Sequence, residues 1–158
     1  MAHALITACP LPLLQLRDDL RTLRLPYWKL NKVWNNEITH HVRVGELGED
    51  LATQFLRKRR HRILLRNYQP PHAGEIDIIT REGDVLVFIE VKTRVAPVKY
   101  RPINAIDQGK RTQMRLGAKS YLKKLQLDIP YRFDAVEVIL EGGELPLLNH
   151  IKSLKMDL

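Results

Sequence analysis

Val85-Leu86-Val87-Phe88-Ile89-Glu90-Val91-Lys92-Thr93-Arg94 is the stretch on which the fold turns. Its first half is an unbroken apolar run rich in β-branched residues, the mark of a central strand covered on both faces. Its second half alternates, with Glu90, Lys92 and Arg94 separated by Val91 and Thr93. Side chains at i and i+2 share one face of a strand, so Glu90 and Lys92 point the same way. The strongest chemical signal therefore lies at the end of the most apolar strand.

Upstream, Glu82-Gly83-Asp84 reads as a turn, and Glu75-Ile76-Asp77-Ile78 alternates as a half-buried strand does. The two strands form a hairpin, which brings Asp77, Glu90 and Lys92 to one side of the sheet. Glu75 shares the Asp77 face but sits where the strand begins, and a salt bridge is its other reading. Pro70, Pro71 and Gly74 make a turn before it, and Ile63 to Tyr68 is a short strand. From Arg43, after Gly45, Leu47, Leu51, Ala52, Phe55 and Leu56 recur at helical spacing. Arg57, Lys58, Arg59 and Arg60 fill the last turn, where cations suit the helix dipole.

Downstream of Pro97 and Pro102, a helix is expected from Ile103 to Leu125, with Ile106, Met114, Ala118 and Leu122 on one face beside Tyr121 and Leu125. Pro130 stops that segment. Tyr131 to Leu140 is a strand closed by Gly142-Gly143, and the tail from Leu147 pairs as a strand or forms a short helix. The order α-β-β-β-α-β predicts an α/β domain with a central mixed sheet flanked by helices. Residues 1–42 read as a partly ordered N-terminal extension, and 43–158 as the domain.

The 158 residues carry 26 Lys+Arg against 18 Asp+Glu, a net charge of +8 and a pI near 9.8. Hydrophobic content of 44% excludes a largely disordered chain, and the single Cys9 excludes a disulfide framework or a cysteine zinc site. No apolar run reaches membrane-spanning length, and Pro10 and Pro12 interrupt Ala4–Leu16, which lacks a basic start; the expectation is a cytoplasmic protein with no membrane partner. Excess positive charge favours a polyanion, most often nucleic acid. Arg57, Lys58, Arg59 and Arg60, with Arg62 and Arg66, form one basic cluster; Lys99, Arg101, Arg111, Arg115, Lys119, Lys123 and Lys124 form another, and Arg94 flanks the charged strand end. Such groups neutralise phosphates without reading sequence.

Two carboxylates and an ammonium at the mouth of a buried sheet are costly to desolvate. Either Glu90 and Lys92 compensate each other as an ion pair, or a divalent cation does, since hard cations take one or two carboxylates and fill the rest with water and phosphate oxygens. On the first helix, at about 100° per residue, Glu49 projects about 20° from Leu56, at the edge of the apolar face. Lys110 falls on the apolar face of the second helix, where it either snorkels or meets a phosphate or a site carboxylate. His61, His72 and His150 are isolated, the adjacent His40-His41 pair lacks zinc-ligand spacing, and all read as structural or surface residues.

Asp77 followed by Glu90-Val91-Lys92 resembles the acidic and acidic-X-Lys pattern of the PD-(D/E)XK, or restriction-endonuclease-like, superfamily. A closer resemblance is to the YraN-like family of small bacterial proteins, similar in fold to archaeal Holliday-junction resolvases. It rests on Gly48-Glu49-Asp50-Leu51-Ala52, Asn67-Tyr68, Gly74-Glu75-Ile76-Asp77, Phe88 to Arg94, Lys110, Ala118 with Tyr121-Leu122, Arg132-Phe133-Asp134 and Asn149-His150-Ile151. The resemblance implies a restriction-endonuclease-like core and a metal-dependent DNA endonuclease acting on branched or structured DNA. The alternative is a non-catalytic nucleic-acid-binding protein that keeps the fold. By the same resemblance, Asp77, Glu90 and the Val91 carbonyl would hold magnesium or manganese, Lys92 would be the catalytic lysine, and Glu49 would join the metal site. A homodimer would suit an enzyme that makes two cuts, though no stretch of sequence marks an interface. The chain departs from the family pattern at Arg60 and Arg101, where glycine is usual.

Overall fold

The computed structural model describes residues 41–96, 107–141, 144–156 and 158. The extension up to residue 40, the stretch 97–106 with Lys99, Arg101 and Ile106, and Gly142-Gly143 lie outside the described residues. Helix α1 (His41–Lys58) is followed by β1 (Arg62–Tyr68), β2 (Ile76–Glu82), β3 (Val85–Val95), α2 (Gln108–Leu125), β4 (Tyr131–Leu140) and β5 (Leu147–Ile151). The strands form one sheet in the order β1-β2-β3-β4-β5. Only β3 and β4 run parallel, joined through α2; the other neighbours are antiparallel. This is the α/β, mixed-sheet, restriction-endonuclease-like core that the sequence predicts, with the tail resolved as a strand.

The helices cover opposite faces. Leu47, Leu51, Ala52, Phe55 and Leu56 of α1 pack on Ile78, Val87, Ile89, Val91, Val136 and Val138. Met114, Ala118 and Tyr121 of α2 pack on Ile76, Ile79, Leu86, Phe88 and Phe133. Odd residues of β3 thus face α1 and even residues face α2, as strand alternation requires. The expectation of a half-buried β2 is corrected: Ile76 to Thr80 are all buried, because helices cover both sides. Gly45 lies inside α1 rather than before it. Within the described residues α2 starts at Gln108, where the Asp107 side chain accepts from the Lys110 N–H as an N-cap.

Two close approaches fix the helices. A Cβ on Gly48 would lie 1.7 Å from Thr93 Oγ1, so only glycine lets α1 touch β3 there. A Cβ on Gly74 would lie 2.2 Å from the Gln113 carbonyl oxygen, so the β1–β2 loop is seated directly on α2. Arg60 has φ of 65°, the left-handed region after a helix that glycine takes most easily. Where the family pattern has glycine, this chain holds an arginine in the same strained backbone.

Candidate active site

Pairing between β2 and β3 runs from Glu82↔Val85 to Ile78↔Ile89, while β3 continues to Val95 against β4 alone. Asp77 lies where the two strands part. Its Oδ2 accepts a hydrogen bond from the Val91 N–H at 2.7 Å, replacing the ladder bond that β2 no longer supplies. In an extended strand the N–H and C=O of one residue leave on the same side, so the Val91 carbonyl also faces Asp77. Glu90 and Lys92 share the α2 face, and Lys92 Nζ lies 2.6 Å from Glu90 Oε1. Lys110 reaches across from α2, 3.1 Å from Glu90 Oε2 and 3.7 Å from Asp77 Oδ1. Its place on the apolar helix face is therefore a pairing with site carboxylates.

These acids are buried, Asp77 at 8% and Glu90 at 1% exposure. Burial, then the charge of Glu90, pushes the Asp77 carboxyl up to about 6, outweighing Lys110 and the Val91 N–H. Burial pulls the Lys110 ammonium down, but Asp77 and Glu90 outweigh it and leave it above the ordinary lysine range. Lys110 lies off the direction of a hydrogen bond to Glu90 Oε2, and that buried oxygen has no hydrogen-bond donor among the described residues.

Glu49 approaches from α1, the helix that Gly48 lets down onto β3. Burial and the charge of Asp77 raise its carboxyl, against the opposing pull of Arg66 and Asn67. Its Oε2 is likewise buried without a hydrogen bond, 3.7 Å from Arg66 Nη2. Asn67, in the left-handed backbone region at φ of 51°, turns its amide to Glu49. Sequence reasoning assigned Asn67 no role; its local signal is an asparagine at a strand end. Glu75 precedes β2, and its charge acts on both Glu49 and Lys110. No group of three His, Cys, Asp or Glu side chains is assembled for a metal among the described residues.

Of the basic residues, Arg57, Lys58, Arg59 and Arg60 are exposed at the end of α1, with the Arg59 guanidinium 4.4 Å from the centre of the Phe55 ring. Arg94 is exposed beside the site, its Nη1 donating to the Thr93 carbonyl. Arg111 and Arg115 are half-buried on α2, donating to the Lys155 carbonyl and to Thr112. Arg66 is drawn into the ion pair with Asp50 at 2.8 Å. His61 and His150 are not isolated, as the sequence suggested: their rings meet edge to face at 5.3 Å, inside a network with Thr80, Glu82, Arg132 and Asp134 on the α1 side of the sheet.

A model of the family described as "Uncharacterised protein family UPF0102" matches residues 48–138, from Gly48 in α1 to Val138 in β4. The chain belongs to UPF0102. Glu49, Asp77, Glu90, Val91 and Lys92 all lie in the matched stretch. A UPF0102 protein of Koribacter versatilis is 42% identical over 114 residues, covering 72% of this chain and 79% of its own length. One from Geobacter metallireducens is 38% identical over 113 residues, covering 71% and 91%. One from Dictyoglomus thermophilum is 43% identical over 98 residues, covering 61% and 82%. No helix among the described residues is long and apolar enough to cross a membrane.

Proposed function

We propose that this UPF0102 chain is a metal-dependent endonuclease that hydrolyses phosphodiester bonds in DNA, with branched or structured DNA as its substrate. The observation that carries the reading is the juxtaposition of Asp77 and Glu90, two buried carboxylates sharing a lysine ammonium where β2 and β3 part. The donor set fits a hard cation. Two carboxylates with a backbone carbonyl leave positions for water and phosphate oxygens, which magnesium prefers to an all-protein cage. Glu90 Oε2 and Glu49 Oε2, buried without a hydrogen bond although each has a cation within 3.7 Å, and the raised Asp77 carboxyl add support, since each has capacity left for an incoming positive charge.

Asp77, Glu90 and the Val91 carbonyl would hold magnesium or manganese, with Glu49 contributing directly or through water. When bound, such an ion polarises the phosphate and eases deprotonation of the attacking water. Lys92 steadies that water or the negative charge growing on the phosphate. Glu75 sets the field around Lys110 and Glu49. Arg57, Lys58, Arg59, Arg60, Arg94, Arg111 and Arg115 meet the DNA backbone, and a homodimer would supply paired cuts.

One observation favours a second reading. Glu90 already has Lys92 and Lys110 beside it, as an ion-pair network in a non-catalytic nucleic-acid-binding protein would require. A cleavage assay separates the two. Labelled duplex, single-stranded, flap and four-way-junction DNAs are incubated with magnesium, manganese or EDTA. Wild type should cut in metal alone, and Asp77→Ala and Lys92→Ala should each lose at least about 100-fold. Salt-sensitive binding without cutting would establish the second reading instead.

A further inference from the structure

A cavity of about 420 Å³ opens on the strand-entry side of Glu75, lined by the β1–β2 loop and one residue of α2. Its walls include Gln69, Pro70, Pro71, His72, Glu75 and Gln113. We propose that this cavity receives an unpaired nucleobase of the DNA strand at the site; the assignment rests on the nucleic-acid reading above and names the feature of the substrate that the site selects.

The volume lies within the range of small-ligand sites, about 300–1,000 Å³. The lining contains no lysine or arginine and includes one carboxylate, in a chain of net charge +8. A phosphate is disfavoured there, and a neutral ring with amino groups is favoured. The His72 imidazole is a ring of the kind on which bases stack, and Pro70 and Pro71 add apolar wall beside it. Two amides and a carboxylate are the groups that read base edges: glutamine pairs with adenine edges, and a carboxylate accepts from the cytosine amino group. A base in a duplex has its pairing edge occupied and its faces stacked, so only an unpaired one can enter.

The cavity is built in advance and tied to the centre. Gly74, at φ of 71°, brings the loop against the Gln113 carbonyl closer than any side chain permits, and the Ala73 N–H closes the turn onto the Pro70 carbonyl at 3.3 Å. Glu75 is two residues from Asp77, and Gln113 is three residues along α2 from Lys110, about 4.5 Å of helix rise. The Glu75 charge acts on Glu49 and Lys110, so a base held here would belong to a nucleotide close to a phosphate bound at Asp77 and Glu90.

Binding in EDTA tests this apart from cleavage. Wild type is titrated with a fluorescent duplex and with a duplex of equal phosphate count carrying a short unpaired flap. Wild type should bind the flapped DNA about tenfold more tightly, a stacking-sized preference. Gln113→Ala and His72→Ala, both at exposed positions, should each bring that ratio toward one while leaving duplex affinity unchanged. Equal wild-type affinities for the two DNAs, or a preference untouched in both variants, overturn the cavity assignment and leave the nucleic-acid reading standing. Absence of binding to either DNA overturns both.

Discussion

Two polar clusters flank the centre of the sheet, one on each face, and they treat charge in opposite ways. On the α1 side, Asp134 is fully buried yet accepts from Arg132 Nε and Nη2, from His150 Nε2 and from the Ser153 N–H. Glu82 takes Arg132 and Lys152. Burial alone would raise both acids, but these donors win: Asp134 is held below the ordinary range and Glu82 falls to about 2. On the α2 side, Asp77 receives one backbone N–H and a distant ammonium, and it rises to about 6. The ingredients are alike, acids beside cations in buried surroundings. The difference lies in whether the donors are aimed. Asp134 itself is fully hydrogen-bonded and helps specify the fold, although His61 Nε2 and His150 Nδ1 beside it are buried without a hydrogen bond; Asp77 keeps capacity that a ligand could use.

Removing an acid should therefore have opposite signs at the two places. Asp134→Ala strands the Arg132 guanidinium and His150, and should cost about 3–5 kcal/mol in urea unfolding at pH 7. A loss under about 1 kcal/mol would contradict the description of Asp134 as fully paired. Gly48→Ala attacks the other cluster through packing instead of charge. Helix propensity favours alanine by about 1 kcal/mol. The collision with Thr93 should outweigh that gain, for a net loss of about 1–3 kcal/mol. Asp77→Asn removes a charge that the fold disfavours, so the metal-free protein should melt higher at pH 7 than wild type; a lower melting temperature would break the contrast.

The pH dependence sharpens the same point. The Asp77 carboxyl is pushed up to about 6 in the folded chain from its ordinary value of 3.8, so the folded chain holds its proton more tightly. Its contribution is fully present below about pH 4 and is lost as pH rises through about 6. Glu82, at about 2 against 4.5, runs the other way, with stability present above about pH 4.5 and lost as pH falls toward 2. The wild-type minus Asp77→Asn difference in unfolding midpoint should open between pH 4 and 6. The smallest effect is that of magnesium, which should raise the wild-type melting temperature by mass action and leave Asp77→Asn nearly unmoved.

The Asp77–Glu90–Lys92 half of this contrast was legible in the sequence and the Asp134 half was not. Glu90 and Lys92 sit two apart on an apolar strand, and strand alternation alone puts them together. Asp77 follows from one hairpin. The Asp134 network draws on α1's end, β2, β4 and β5, and no local spacing announces that His61 and His150 will meet across the chain. Lys110 showed as a lysine out of place on an apolar face, but its partners depend on how α2 is laid over the sheet. The half-buried reading of β2 failed because periodicity sees one strand at a time and cannot count the layers above and below it.

If Asp77 and Glu90 take a divalent ion as the proposed function requires, the Lys110 ammonium, 3.7 Å and 3.1 Å from them, is an internal competitor for that seat. A tethered group of this kind has an effective concentration in the millimolar range. The chain can close its core before any ion arrives, because the seat is never left without positive charge. An arriving divalent ion must then evict an occupant that swings aside on its own stem and returns as soon as the ion departs. The lysine would lower the apparent affinity for the ion by a fixed factor, and simple monovalent salts, lacking both the charge density and the tether, would contest the seat poorly.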